Sequence, residues 1–386
     1  MDSVPAVTIG TVDGPPETLL FRAIAALVMK DGTIVIANAG TSELRYHDAQ
    51  GSWLRSVGGQ GEGPGEFRTL TNIWRIRGDT LLAWDTRLRR LSFFAPGGEF
   101  VGSRTFVIAP VRLTSGMSMT NSVIFQGVFA DGSIVARSNS VAARQLAAEG
   151  PSAVTEGFHR IDAPVFVLAR DTTIAVSAGG ALEPYNAAEH DTLGIFSGPE
   201  EFLHRAVTRT GGPEHVTASQ VIFGERFLWA SGPEFVAVGT GKPYVVNLYD
   251  RAGALRGTIG RSVEVERVTA DHVRRFKEKE VAEAPEQSRV VLANMLEHVP
   301  AAETLPSWSG LRFDGTGNLW VEQFSLAQDG PLVHDVFADD GRWLARAELH
   351  RDLPILDLAP DFLLTRARDA MDVEEIRLYR IRRSSR

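Results

Sequence analysis

From Arg22 onward the chain alternates short apolar runs with breaks rich in glycine and aspartate. Thr33 to Ala37 (TIVIA) is a short, continuous, fully buried strand, and the Asp31-Gly32 pair ahead of it is a tight turn between hydrophobic runs. Leu44 to His47 is the next strand, Asp48 to Gly51 a further turn, and Ser52 to Val57 an outer strand. The plan then recurs. NIWRI, Gly78-Asp79, TLLAWD, RLSFF, the Ala95 to Gly98 turn and EFVGSRTF predict four strands over Thr71 to Phe106.

Four strands in about 40 residues, repeated, are the mark of a radial array of small sheets. The predicted fold class is all-β, a six-bladed β-propeller in one domain spanning residues 1–386. Blade one covers Arg22 to Val57. Blade three opens at Ser122 and its second half is placed at Val165 to Val176. Blade four holds RFLWA, EFVAVGT, YVVNLYD and LRGTIG; blade five holds GLRFD, LWVEQF, VHDVFAD and RWLARAEL. Blade six holds ILDLA, DFLLTRA and the alternating EEIRLYRI, which the lone N-terminal strand Val7 to Gly10 completes, so that no edge is left open.

The long segments fall at three places: Asn139 to Ala163 inside blade three, Ser177 to Phe223 between blades three and four, and Arg261 to Trp308 between blades four and five. The turns within hairpins are tight, so all three lie on one face of the disc, where loops on a rigid scaffold carry function. The last of them is helical, over about 269–299. Thr269 caps a first helix with His272, Val273, Phe276 and Val281 near helix period; Pro285 breaks it, and a second helix follows from Glu286 to His298.

Net charge is −8, which argues against nucleic acid as a partner. The only lysines are Lys30, Lys242, Lys277 and Lys279, as a GC-rich genome would give. The absence of cysteine excludes disulfides, thiolate metal sites and a thiol nucleophile. No run approaches the roughly 18 apolar residues of a membrane span. Met1 to Ser3 reads as a start that replaces a cleaved leader, so a periplasmic or secreted monomer is expected.

Gly58 to Phe67 (GGQGEGPGEF), with Asp31-Gly32-Thr33-Ile34-Val35 upstream, resembles the repeat of NHL-type six-bladed propellers. Phe313-Asp314-Gly315 with Asn318 to Val321 is a degenerate second copy, and the Asn-His-Leu tripeptide itself is absent. The chain is also similar to uncharacterised bacterial exported or lipoprotein propellers with a helical insertion before the fifth blade. Six-bladed relatives include lactonases and gluconolactonase-like hydrolases, whose Glu, Asn and Asp side chains hold a divalent metal in the channel, and a zinc-dependent lyase. The resemblance therefore implies Ca or Zn in the central channel as one alternative, although the nine histidines form no local metal motif.

No Gly-x-Ser-x-Gly elbow is present, and the Gly58 to Gly63 run ends at a strand beside Glu62 and Glu66, which suits a tight crossing better than a phosphate cradle. Arg22 and Arg68 sit where inner strands begin, able to meet an anion or to pair with Glu17 and Glu66. Trp308 lies where the helical insertion rejoins blade five, at the channel mouth. With Glu66, His272 and Glu322 these form the candidate ligand-binding set; no catalytic residue and no metal ligand is assigned. The leading expectation is an exported binding propeller, without a cofactor, that recognises a small molecule, peptide or envelope protein on the decorated face. The alternative is a metal-dependent, lactonase-like hydrolase or a lyase working in the channel.

Overall fold

The computed structural model describes residues 4–105, 110–112, 118–120, 123–138, 156–160, 163–168, 191–206, 215–327, 329–351, 353–369 and 371–382. Among them lie six four-stranded antiparallel sheets. Sheet 1 comprises Ala23–Val28, Ile34–Asn38, Glu43–His47 and Trp53–Gly58. Sheet 2 comprises Leu70–Arg75, Leu81–Asp85, Arg90–Phe94 and Phe100–Thr105. Sheet 3 comprises Val123–Val128, Ile134–Ser138, Ala163–Leu168 and Asp191–Phe196. Sheet 4 comprises Leu228–Ser231, Val236–Gly239, Val245–Tyr249 and Leu255–Gly260. Sheet 5 comprises Trp308–Phe313, Leu319–Gln323, Leu332–Phe337 and Trp343–Leu349. In sheet 6, Ile355–Ala359, Phe362–Arg368 and Glu374–Arg380 are joined by Val7–Ile9 as the outermost strand. Val7 faces Leu378 and Ile9 faces Ile376, which is the expected closure.

The second strand of each sheet explains why these runs read as continuously apolar. Its alternate side chains serve two cores. Val35 and Ala37 pack toward sheet 2, whereas Ile34 and Ile36 pack toward sheet 6. Leu82 and Trp84 face sheet 3. Val236 and Val238 face back to sheet 3, while Ala237 faces sheet 5. Trp320 and Leu363 meet between sheets 5 and 6. Each sheet thus shares a core with the next, and the last with the first. The chain is an all-β propeller whose hydrophobic core is a ring of wedges between sheets. The first strands of all six sheets wall a central channel of about 660 Å³.

The turns repeat one local device. Asp48 accepts hydrogen bonds from Gln50 N (2.9 Å) and Ser52 N (2.8 Å), with Gly51 at a φ of 88°. Asp250 and Asp314 do the same two and four residues on. An Asx-type turn of this kind needs only neighbouring residues, and glycine takes the left-handed position without strain.

Sheet 3 departs from the sequence expectation. Its outer strand is Asp191–Phe196, not a strand ending at Val176, and residues 169–190 between its third and outer strands lie outside the described residues. The crossing to sheet 4 therefore begins after Phe196 rather than at Ser177. Much of the expected excursion over 139–163 also lies outside the described residues. What is described there forms a three-stranded sheet of Gly157–Arg160, Glu200–Ala206 and His215–Gln220. Its first strand comes from within sheet 3 and its other two from the crossing, so the two excursions meet at one end of the disc.

Candidate functional site

The crossing from sheet 4 to sheet 5 builds a structure of its own. Helix α1 is Ala270–Glu283 and helix α2 is Glu286–Glu297. Thr269 Oγ1 accepts from His272 N (3.2 Å), and His272 Nδ1 accepts from Thr269 N (3.4 Å). This reciprocal cap fixes where α1 begins. Below the helices the two ends of the insertion bond each other, Val268 N to Glu303 O and Leu305 N to Glu266 O, both at 2.9 Å. Ile222 N donates to Pro300 O and Ala302 N to Ile222 O, again at 2.9 Å, which ties the stem to the crossing from sheet 3. Around this stem Ile222, Phe223, Val299 and Leu305 form a seventh core outside the ring, with Val273 and Phe276 of α1 against it.

A pocket of about 150 Å³ lies in the seam between this seventh core and the ring. Phe223, Leu228, Phe276, Trp308, Phe324 and Leu326 supply its apolar walls. Phe223 meets Phe276 edge-on at 5.2 Å between ring centroids and Phe324 at 6.0 Å, arrangements that suit ring quadrupoles. Trp308 is fully buried, and its Nε1 donates to Pro243 O at 3.3 Å. A Cβ on Gly239 would stand 2.6 Å from the Trp308 ring, so only glycine lets the indole seat there.

The rim is charged. Arg226, Arg275, Lys279 and Glu280 border the pocket. Arg275 is held by Asp271 at 2.7 Å, and Lys279 lies 3.8 Å from Glu283. Arg226 has no side-chain hydrogen bond or ion pair among the described residues, and it is exposed. Nearby, Lys242 donates Nζ to Thr304 O, and burial draws its pKa below the ordinary lysine value against the pull of Glu200 and Glu225. The Arg160 guanidinium, 2.7 Å from Glu225, holds that carboxyl below the usual range.

The residues singled out from sequence are distributed as follows. Trp308 lines the pocket. Glu322 stands one residue behind it, accepting from Ser309 Oγ at 2.8 Å and lying 3.8 Å from His334 Nε2. His272 is engaged in the α1 cap, with its Nε2 3.5 Å from Glu266. Arg22 lies just ahead of sheet 1 instead, and Glu66 and Arg68 lie in the crossing from sheet 1 to sheet 2. Arg68 pairs with Glu62 at 3.1 Å, while Glu66 accepts from Gly63 N at 2.8 Å. Arg22 is exposed, with a φ of 54°. Nothing in the sequence marks Phe223, Arg226, Phe276 and Phe324 as a set. They come from three separated segments, and no spacing links them; the helical period of α1 was the one signal that marked Phe276.

Among the described residues no group of three or more His, Asp or Glu side chains is placed to hold a metal ion, and no helix is long and apolar enough to cross a membrane. No family model matches the chain, and no curated protein matches it. Solved structures do overlay along most of its length. A Bacteroides fragilis protein described as exported is 8% identical over 99% of this chain and 98% of that one, with a TM-score of 0.44. A gluconolactonase from Xanthomonas campestris is 12% identical over 97% and 98%, with a TM-score of 0.35. BamB of Moraxella catarrhalis is 10% identical over 91% and 83%, with a TM-score of 0.30. At such identities and scores these likenesses carry no argument about activity.

Proposed function

We propose that this chain is a six-bladed, NHL-like propeller of one domain, exported and monomeric, that binds a ligand or protein partner on its decorated face. The pocket beneath α1 is its anchor site. One observation carries this reading: three phenylalanines from three segments converge under a capped helix and leave about 150 Å³ between them, with arginine and lysine at the rim. An apolar cavity of roughly 150 Å³ holds one benzene-sized group. Binding energy concentrates where such a group is fully desolvated in a pocket, and surrounding charge selects its neighbours. The favoured occupant is an aromatic or branched apolar group that carries a nearby carboxylate, whether on a peptide or on a small molecule.

Ligand-detected NMR tests this directly. Saturation transfer to the ring of 3-phenylpropionate is expected with the wild type, weaker transfer to 3-phenylpropanol, and none with Phe276→Asp. Arg226→Glu, on the exposed rim, should weaken the acid and spare the alcohol. Equal transfer in wild type and Phe276→Asp, or none in either, contradicts the reading.

A further inference from the structure

The central channel is another cavity among the described residues, and it is built differently from the pocket. Its lining includes Lys30, Asp79, Pro233 and Gly315. These belong to the turns joining first and second strands, so the channel reaches the face opposite α1. Most of its charges are engaged by the walls. Asp357 accepts from Val28 N at 2.8 Å and Leu358 N at 2.9 Å, which ties sheet 6 to sheet 1. Arg75 crosses from sheet 2 and donates Nη1 to Val28 O, with its Nε 3.9 Å from Asp79. Arg77 lies 3.5 Å from Glu234, and Asp314 accepts from Asn318 at 2.9 Å and Trp320 at 3.0 Å.

Besides the exposed Lys30 in a turn, Arg312 is the exception. It lines the channel from the first strand of sheet 5, open to solvent yet enclosed by the walls. Among the described residues nothing gives it a hydrogen bond or an ion pair; Asp357 and Glu322 act on it only through space. Enclosure draws its pKa below the ordinary arginine value. A guanidinium stays charged in a protein, so its N–H fork remains without a fixed acceptor in a confined, partly desolvated space. A second donor faces the same space. Nη2 of Arg75 lies 2.8 Å from where a Cβ on Gly315 would sit, so glycine at 315 leaves that group its place. The carboxyl near both guanidinium groups, Asp357, has its oxygens committed to backbone N–H groups, and burial raises its pKa.

We infer that the channel is an oxyanion site, in which Arg312 grips a carboxylate or phosphate group through its fork and Arg75 supplies a further N–H. The planar fork matches both groups bidentately. This inference stands apart from the pocket beneath α1, since it uses the other face and other residues.

Isothermal titration of inorganic phosphate and of succinate, in separate arms at constant ionic strength with chloride as the control, provides the test. Saturable binding is expected in at least one arm, weakened about tenfold or more by Arg312→Gln. Gly315→Ala, which displaces the Arg75 guanidinium, should weaken it less, and Phe276→Asp should leave it unchanged. Binding in the phosphate arm alone identifies a phosphate-bearing ligand, and in the succinate arm alone a carboxylate. Should Arg312→Gln fail to fold, Arg312→Lys keeps the charge and removes the fork; lost affinity supports the site. No saturable binding to the wild type, or wild-type affinity in a folded Arg312 variant, overturns it.

Discussion

The crossing from sheet 1 to sheet 2 and the crossing from sheet 4 to sheet 5 make the same topological step in opposite ways. Residues 59–69 close on themselves. Gly61 N donates to Phe67 O (3.1 Å), Phe67 N to Gly59 O (2.8 Å), and Glu66 takes up Gly63 N. Phe67 is fully buried in the wedge between the sheets, and Gly58, at a φ of 96°, is needed because a Cβ there would stand 2.9 Å from its ring. Residues 261–307 lead to an aromatic as well: Trp308, the first residue of sheet 5, fills the equivalent wedge between sheets 4 and 5. Yet the longer crossing also carries apolar side chains that the ring cannot cover. They form a core of their own, and the seam between two cores is where a pocket opens. A short crossing spends its polar groups on its own turn; a long one has surface left for a ligand.

The largest effects should come from breaking the two wedges. Phe67→Ala and Trp308→Ala each remove a fully buried aromatic and should cost about 3–5 kcal/mol in urea unfolding. The comparison predicts that they part company on binding, with Trp308→Ala alone altering the pocket. Next comes Asp335, which is 1% exposed and accepts from Tyr244 (2.8 Å), Gln323 (2.9 Å), Arg261 (2.6 Å) and Trp343 (3.3 Å). Burial alone would raise its pKa, but these donors together outweigh burial and hold it below the ordinary value. Its stabilisation is therefore present above about pH 4, the unfolded value, and is lost as pH falls through the lower folded one. Asp335→Asn should cost about 2–3 kcal/mol at pH 7 and flatten the acid limb of a stability–pH curve.

A smaller effect sharpens the comparison. Thr269→Ala removes the α1 cap and should cost about 1 kcal/mol. Hydrogen exchange should speed up in α1 and leave sheets 1 and 2 unchanged. Smallest of all is Arg68→Gln. Its bond to Glu62 joins two exposed side chains, so the change should stay within about 0.5 kcal/mol and leave ligand affinity alone.

What sequence reveals here follows from how local the cause is. The aspartate turns at Asp48 and Asp250 and the Thr269 cap each need only residues within four positions, and they read directly. The buried second strands are legible too, because packing on both faces erases the polar alternation. The outer strand of sheet 3 is not legible in the sequence, because residues 171–176 (DTTIAV) and 191–196 (DTLGIF) carry nearly the same pattern. Packing of Leu193 within the core shared with Trp229 of sheet 4 and the preceding Phe227 sets the strand at 191–196, and that is a tertiary fact. The site suffers in the same way. Trp308 stands out by its place at the end of the insertion, but Phe223 meets Phe276 and Phe324 only through tertiary packing. Arg68 pairs with Glu62 rather than the expected Glu66 for a local reason: Glu66 turns inward to Gly63 N, which leaves Glu62 to face the arginine.

The most direct test of the difference between the two crossings is hydrogen–deuterium exchange with and without 3-phenylpropionate. Added protection confined to α1, residues 223–226 and residues 324–326 is the predicted result. Protection appearing instead across residues 58–68, with the α1 segment unchanged, would contradict the account.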